Sequence, residues 1–306
     1  MKNYINGAMQ KNWKNTPLTN KKGISAGRVF RILRRFSNTH ILSLRRLIED
    51  ITGINRYQIQ FSEKKIPLTA ITRIIYRYLQ ILSGKPYAYV VKKKEFIDNY
   101  FFVNSRVLIP RPETEELIQN IISGGYINSL DRILDIGTGC GNIAVTIKSK
   151  YPGAEVHAWD KYSNVLNIAE KNAVHILGKN HGICFSKIDI IDFAKNDASW
   201  PCVFDVIISN PPYIGAGEFA CLEKSVRNHE PRTALYGGVL GMDFYISIKN
   251  AVPRLLKHGG KLFLEIGHTQ HTAVAGLFNF FESNCIILDS YSKKRFFFGL
   301  NYAGYA

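Results

Sequence analysis

One short segment of the sequence combines an amide side chain, two prolines and an aromatic ring: Ser209-Asn210-Pro211-Pro212-Tyr213. It follows an apolar run that predicts a buried strand, and two successive prolines cannot continue a sheet, so we expect a rigid loop at a strand end. Such a loop suits methylation of an NH2 group on a planar carbon. The Asn210 side-chain oxygen and the Pro211 carbonyl would accept the two hydrogens and orient the nitrogen lone pair, while Tyr213 packs on the planar group. The alternative interpretation is a plain proline turn.

A second segment, Leu134 to Gly141, reads LDIGTGCG and lies where a predicted strand opens into a helix. Glycine is needed where the backbone turns sharply and passes close to a ligand, and ligands bind at the carboxyl ends of such strands. The spacing is GxGxG, with Asn142 next, so the dinucleotide-binding fingerprint GxGxxG is not met. The loop therefore predicts a pocket for a different nucleoside-containing ligand, formed by Asp135, Gly137, Thr138, Gly139, Cys140 and Gly141.

Two acidic residues follow the next two predicted strands. Asp160 comes at the end of the second strand, where a carboxylate can accept both hydroxyls of a ribose; its alternative role is a helix N-cap. Asp189 follows the third strand and could accept from an adenine amino group, with Ile190 covering the ring, although an Asp at this position is also common turn chemistry.

The elements that position these residues follow from the hydrophobic pattern. Residues 27–84 show apolar side chains at three- and four-residue spacing, which predicts a small helical bundle with helices at residues 29–36, 41–51 and 68–82. Residues 87–109 are rich in Tyr, Phe and Val and predict a β-hairpin. Beyond residue 110, short apolar runs alternate with helical segments, the pattern of an α/β fold with a mostly parallel sheet. Seven predicted strands, among them Ile183–Lys187 and Phe204–Ser209 and with an antiparallel pair at the end, indicate a Rossmann-like methyltransferase sheet.

These patterns predict four parts of the chain. Residues 1–26 form a basic N-terminal extension, 27–85 a helical domain that docks substrate, 86–110 a hairpin linker, and 111–306 the methyltransferase domain. No run of about 18 apolar residues occurs, so the sequence predicts no membrane-spanning helix.

Charge is distributed unevenly along the chain. Residues 1–100 carry 20 Lys and Arg against five Asp and Glu, whereas residues 101–306 carry 20 against 19. Such asymmetry is typical of a face that contacts a polyanion, or of a targeting segment; a solvated face of an exposed helical domain is the alternative. The five cysteines are odd in number and widely spaced, which fits a reducing compartment. We expect a cytoplasmic protein, or a mitochondrial matrix protein if the acid-free N-terminus is a transit peptide.

The sequence resembles the release factor glutamine methyltransferases over about residues 40–306. The resemblance is carried by the segments Ile109–Glu115 (IPRPETE), the glycine loop, Asn210–Ile214 (NPPYI), Glu230-Pro231, Leu235–Gly238 (LYGG) and Leu264–Gly267 (LEIG). It implies S-adenosylmethionine as the methyl donor and the glutamine of a GGQ loop as the acceptor. By position it also implies a cofactor pocket that includes Asn210 and Ile190, catalytic roles for Asn210, Pro211 and Tyr213, and a substrate site formed by Arg111, Glu113, Asn210, Pro211, Pro212 and Tyr213.

Two other functions remain compatible with the residues. An amino-group methyltransferase acting on adenine or cytosine of DNA or RNA would use the same pocket, and the basic first third suits a phosphate backbone. A binding module that keeps the fold without the activity, associated with the ribosome through its basic face, is the non-enzymatic alternative.

Overall fold

The computed structural model describes residues 23–196 and 203–303 of the 306-residue chain. The chain divides into two compact units, Met1–Val91 and Lys92–Ala306, each with a hydrophobic core. The division falls inside the predicted linker, residues 86–110, which is therefore shared between the units. Most of the predicted N-terminal extension lies outside the described residues.

The first unit is a helical bundle with a small antiparallel sheet. Its elements are β1 (Gly23–Ser25), α1 (Ala26–Leu33), α2 (Ile41–Thr52), β2 (Lys65–Pro67), α3 (Leu68–Leu82) and α4 (Tyr87–Val91). The three predicted helices correspond to α1 with the 3₁₀ turn that follows it, α2 and α3. Helix α3 buries Ile71, Ile74, Tyr78 and Ile81, whose three- and four-residue spacing places them on one face. The strand pair β1–β2 was not anticipated from the sequence.

The segment that follows α3 differs from the prediction in its first part. Tyr87–Val91 is helical, although its aromatic and β-branched residues favour a strand. A hairpin does form after it, from β3 (Lys93–Phe96) and β4 (Asn99–Phe102). The predicted hairpin over residues 87–109 is therefore wrong at both ends, because residues 103–109 are also outside the strands.

The second unit is an α/β fold around a seven-stranded sheet, as predicted. After β3 and β4 its elements are α5 (Pro112–Ser123), β5 (Arg132–Ile136), α6 (Asn142–Lys150), β6 (Glu155–Asp160), α7 (Ser163–Leu177), β7 (Ile183–Lys187), α8 (Ile190–Lys195), β8 (Phe204–Ser209), α9 (Ala216–Cys221), α10 (Lys224–His229), α11 (Asp243–Leu255), β9 (Leu256–Glu265), α12 (His271–Leu277), β10 (Phe281–Leu288) and β11 (Lys294–Tyr302). None of the helices in the described ranges is long and apolar enough to span a bilayer.

The strand order explains where a ligand site belongs. The sheet runs β10-β11-β9-β8-β5-β6-β7, with β5 to β9 parallel and the last two strands antiparallel. The chain proceeds outward from β5 in both directions, so the connections after β5 and β8 diverge. Ligands of such sheets bind at the carboxyl ends of the strands, next to this switch point.

Candidate active site

A cavity of about 410 Å³ lies in the second unit at the carboxyl ends of the parallel strands. It is bounded by loops that follow β5, β6, β7 and β8 and by the segment before α5. The predicted site residues that line it are Arg111, Gly137, Thr138, Gly139, Cys140, Asp160, Asp189, Ile190, Asn210, Pro211 and Pro212. Four others, Glu113, Asp135, Gly141 and Tyr213, are absent from its lining.

The glycine loop keeps the backbone open toward the cavity. Gly137 has φ +74°, and a Cβ built on it would meet no atom within 4 Å. Gly141 is the N-cap that precedes α6, with φ +82°, and a Cβ built on it would lie 3.1 Å from the Ala169 side chain. Gly141 therefore serves the loop's shape, since only glycine adopts this φ freely beside α7.

Asp135 lies beneath this loop and is almost completely buried. Its Oδ2 accepts from the Thr138 hydroxyl at 2.7 Å and from the Ala144 N–H at 3.2 Å, whereas its Oδ1 is buried with no hydrogen-bond partner in the described chain. Burial raises the pKa of Asp135 to about 7, against the opposing hydrogen bonds. The sequence predicted that Asp135 helps to form the ligand pocket; in the structure it lies outside the cavity lining and holds the glycine loop through Oδ2.

Asp160 ends β6 at the cavity wall. Its Oδ2 accepts from the Gly139 N–H at 3.2 Å and its Oδ1 from the Tyr162 N–H at 3.1 Å. Burial raises its pKa, and the backbone hydrogen bonds oppose the shift. The carboxylate is thus fixed between two loops while it borders the cavity, and each oxygen retains capacity to accept from a ligand hydroxyl.

Asp189 is held by two partners. Its Oδ1 accepts from the Ile191 N–H at 3.0 Å, which caps α8, and its Oδ2 lies 2.6 Å from the Lys161 ammonium. Turn chemistry therefore accounts for its conformation, although it borders the cavity together with Ile190.

Asn210 lies in the loop after β8, and hydrogen bonds fix the position of its side chain. Ser209 donates to the Ile136 carbonyl at 2.7 Å and so joins the ends of β8 and β5. The Asn210 Nδ2 donates to Thr114 Oγ1 at 2.9 Å, and Thr114 donates to Glu265 Oε2 at 2.6 Å. The amide of Asn210 therefore borders the cavity in one fixed orientation.

Tyr213 does not pack where the sequence placed it. Its hydroxyl donates to Glu265 Oε1 at 3.2 Å, and its ring packs against the core of the second unit. Desolvation and the neighbouring Glu265 carboxylate raise its pKa. Tyr213 thus anchors the loop from the core side and does not line the cavity in which the acceptor was predicted to bind.

Arg111 and Glu113, predicted to bind substrate, differ from each other in placement. Arg111 borders the cavity, but its guanidinium pairs at 2.6 Å with Glu230, a buried carboxylate that also accepts from the Ile109 N–H at 3.3 Å. Glu113 lies in the first turn of α5, away from the cavity lining. The Glu230 clamp holds the segment that leads to Thr114.

Sequence reasoning assigned no role to Thr114, Glu230 or Glu265. All three stand in segments that carry the family resemblance, which was the available signal. Their roles were not visible because the partners are distant: Thr114 and Asn210 are 96 residues apart, and Thr114 and Glu265 are 151 apart.

The residues of the cavity fit S-adenosylmethionine. The Asp160 carboxylate at the end of β6 suits the ribose hydroxyls of this molecule, and the open glycine backbone suits its amino acid portion. The apolar side chain of Ile190 suits its adenine. The space above Gly137 that a Cβ would fill is the structural observation behind this fit.

Comparisons with known proteins agree with this geometry. Residues 114–226 match the family described as the methyltransferase small domain, a range that contains the glycine loop, Asp160 and Asn210. A release factor glutamine methyltransferase from Chlorobaculum tepidum is 35% identical over 261 residues, covering 82% of this chain and 87% of that protein. Proteins of the same name from Dictyoglomus turgidum and Lactococcus lactis are each 38% identical. They cover 68% and 64% of this chain, and 72% and 69% of their own lengths.

Proposed function

The chain belongs to the release factor glutamine methyltransferase family, and from this premise we propose that it methylates the side-chain N5 of the GGQ glutamine in peptide chain release factors, with S-adenosylmethionine as donor. One observation carries the proposal: a single cavity is bordered on one side by the glycine loop and Asp160, and on another by Asn210 and Pro211. Donor and acceptor sites thus adjoin at the switch point of the sheet.

The chemistry of the glutamine amide that receives the methyl group determines which groups the active site must supply. An amide nitrogen is a poor nucleophile because its lone pair is delocalised, so orientation of that lone pair matters more than removal of a proton. Asn210 Oδ1 accepts one hydrogen of the NH2 group and the Pro211 carbonyl accepts the other. The product nitrogen is cationic and loses its proton readily, so no strong base is required.

The cofactor side is held by loop residues. Asp160 accepts from the ribose hydroxyls, Gly137 to Cys140 admit the amino acid portion, and Ile190 covers the adenine. When bound, S-adenosylmethionine supplies an electrophilic methyl group. Arg111 completes the substrate wall and is kept in place by Glu230.

The helical unit, residues 27–85, holds the protein substrate and makes weak polyanion contacts, for example with ribosomal RNA. Its described surface supports this role: the exposed cations include Arg28, Arg34, Arg35, Arg46 and Arg73, whereas Glu49, Asp50 and Glu63 are the acids of this unit's described residues. Aromatic side chains that can stack on bases are exposed beside them, at Phe36, Tyr57 and Phe61.

The protein acts in the cytoplasm, where release factors and S-adenosylmethionine meet. The four cysteines of the described residues, Cys140, Cys184, Cys221 and Cys285, are all free thiols, which supports a reducing compartment.

The test is transfer of a labelled methyl group to a purified release factor and to its GGQ Gln→Ala variant. We expect incorporation into the first and none into the second. Equal incorporation into both, or preferred methylation of a nucleic acid, would contradict the proposal.

A further inference from the structure

Three polar side chains from distant parts of the chain form a continuous series that ends at the cavity. Asn210 Nδ2 donates to Thr114 Oγ1 at 2.9 Å, and Thr114 Oγ1 donates to Glu265 Oε2 at 2.6 Å. Thr114 and Glu265 are each 1% exposed, so water does not replace either partner. Buried polar groups of this kind keep fixed partners because an unmade hydrogen bond is costly there.

The chemistry of the hydroxyl gives this series a direction. An ionised carboxylate only accepts, and a threonine hydroxyl has a single hydrogen to donate. Once Thr114 has given that hydrogen to Glu265, it can only accept from Asn210. The Asn210 amide must therefore turn its NH2 toward Thr114. This leaves Oδ1 as the group that faces the nitrogen to be methylated.

Further hydrogen bonds fix Glu265 in place. The Tyr213 hydroxyl donates to Oε1 at 3.2 Å, so both carboxylate oxygens accept from the segments that form the substrate wall. The Tyr245 hydroxyl donates to the main-chain carbonyl of the same residue at 3.3 Å. The Glu265 carboxylate thus joins α5 to the loop after β8, and its main-chain carbonyl adds a contact with helix α11.

We propose that Thr114 and Glu265 are positioning residues that set the orientation of the Asn210 amide, so that its oxygen rather than its NH2 faces the acceptor nitrogen. This positioning role rests on the proposed glutamine methylation, because the NH2 group that receives the methyl donates two hydrogens and needs oxygen atoms around it to accept them. A reversed amide would set one NH2 group against another and lose the alignment of the lone pair.

The series works in one direction only while Glu265 is ionised. A proton on Oε2 makes Glu265 a donor to Thr114, whose own hydrogen then becomes free to donate to the oxygen of Asn210 and reverse its amide. Burial raises the pKa of Glu265 to about 7, and Thr114 and Arg295 oppose the shift. The other titratable groups that face it are Glu113, which raises the pKa further, and the phenols of Tyr213 and Tyr245.

The first experiment compares Thr114→Val with Thr114→Ser in release factor methylation over a range of S-adenosylmethionine concentrations up to saturation. Valine keeps the shape and removes the hydroxyl, so we expect kcat to fall by about 10–100-fold with KM for S-adenosylmethionine changed less than about threefold. Serine restores the hydroxyl and should recover most of the rate. Thr146→Val is the matched control, since Thr146 is a buried threonine whose hydroxyl has no partner within the described residues.

The second experiment follows kcat against pH. The wild type should lose kcat below about pH 7, approaching tenfold per pH unit, whereas Glu265→Gln should show a lower rate without this limb. Saturating cofactor is essential, because Asp135 also has a raised pKa and would act through cofactor binding.

Several results would overturn the proposal: Thr114→Val with wild-type kcat, Thr114→Ser as slow as Thr114→Val, or an unchanged acid limb in Glu265→Gln. If Thr114→Val does not fold, the pH profile of Glu265→Gln alone decides. Wild-type protein that leaves the GGQ glutamine unmethylated contradicts the proposed function itself and removes the purpose assigned to the series. The two failures are therefore distinguished by the wild-type arm.

Discussion

Carboxylate side chains have opposite environments at the two ends of the central sheet. At the amino ends of the strands, Asp205 accepts from Lys257 at 2.7 Å and from the Arg132 N–H at 2.8 Å, and Glu155 pairs with Arg132 at 2.8 Å. The pKa of Glu155 is lowered by His157 and then by Arg132. Burial acts to raise the pKa of Asp205, but Lys257 and the Arg132 N–H outweigh it and the pKa is lowered.

At the carboxyl ends, Asp135, Asp160 and Glu265 are more deeply buried and form no ion pair within the described residues. Burial raises the pKa of each. Asp189 is the exception, since Lys161 pairs with it. Carboxylates at the amino end thus hold strands together through ion pairs, whereas those at the carboxyl end are buried without a charged partner in the described part of the chain, an electrostatic cost that is typical of functional sites.

The largest effect is expected at Asn210, on the carboxyl end. Asn210→Ala removes an acceptor needed chiefly in the transition state, so kcat should fall by about 10²–10³. The midpoint of thermal unfolding should barely change, because the half-buried side chain contributes little apolar area. Steady-state methylation and a melting curve measure both. Near-normal turnover, or loss that only follows unfolding, would refute the assigned role.

Asp160→Ala should affect binding rather than the chemical step. In the proposed function the carboxylate accepts from the ribose, away from the reacting nitrogen, so KM for S-adenosylmethionine should rise by about 10–100-fold. The value of kcat at saturation should stay within about threefold. Calorimetric titration with S-adenosylhomocysteine checks the loss independently; unchanged affinity would show that Asp160 only holds its two backbone N–H groups.

The ends of the sheet should also differ in how pH affects stability. An acid whose pKa is higher in the folded state holds protons more tightly there, so its stabilising contribution is complete below about pH 4 and is lost as pH rises toward about 7. Asp135 and Glu265 both follow this sign, with folded pKa values of about 7. The amino-end carboxylates, with lowered pKa, lose stability only as pH falls below about 4.

We therefore expect the unfolding midpoint without cofactor to fall by several degrees as pH increases from about 5.5 to about 8. Asp135→Asn should flatten part of this slope, because its buried side chain no longer ionises. A slope that is identical in wild type and Asp135→Asn would argue against the raised pKa.

The smallest effect is expected at the amino end. Asp205→Ala removes one partly exposed ion pair and one backbone contact, which costs about 1 kcal/mol, or roughly 2–4 °C in the unfolding midpoint. Methylation kinetics should be unchanged within error, since Asp205 is at the opposite end of β8 from the residues that line the cavity. A loss of kcat comparable with that of Asn210→Ala would remove the distinction between the two ends.

Much of the fold was predictable because the sheet strands are short apolar runs. Ile183–Lys187 and Phe204–Ser209 were predicted with the bounds that the structure has. Phe204–Ser209 lies inside the sheet and is almost fully buried, as its apolar run requires, whereas Ile183–Lys187 is the edge strand and is partly exposed. Tyr87–Val91 was not, because strand propensity reflects packing context that a single segment does not reveal.

The place of Asp160 and Asn210 at the cavity was predictable because each comes at a strand end, while their roles stay predictions. It was not predictable where a side chain could turn two ways: Tyr213 turns to Glu265, and Asp135 supports the loop from below. Thr114 and Glu265 join only in the folded chain, so no local pattern could assign them.

Tandem mass spectrometry of a release factor incubated with the wild-type chain and S-adenosylmethionine tests the central claim most directly. After digestion, the peptide that contains the GGQ motif should carry one methyl group on the glutamine side-chain amide, and samples without cofactor or with Asn210→Ala should carry far less. A methyl group at another residue would contradict the account, as would an unmodified GGQ peptide after the S-adenosylmethionine has been consumed.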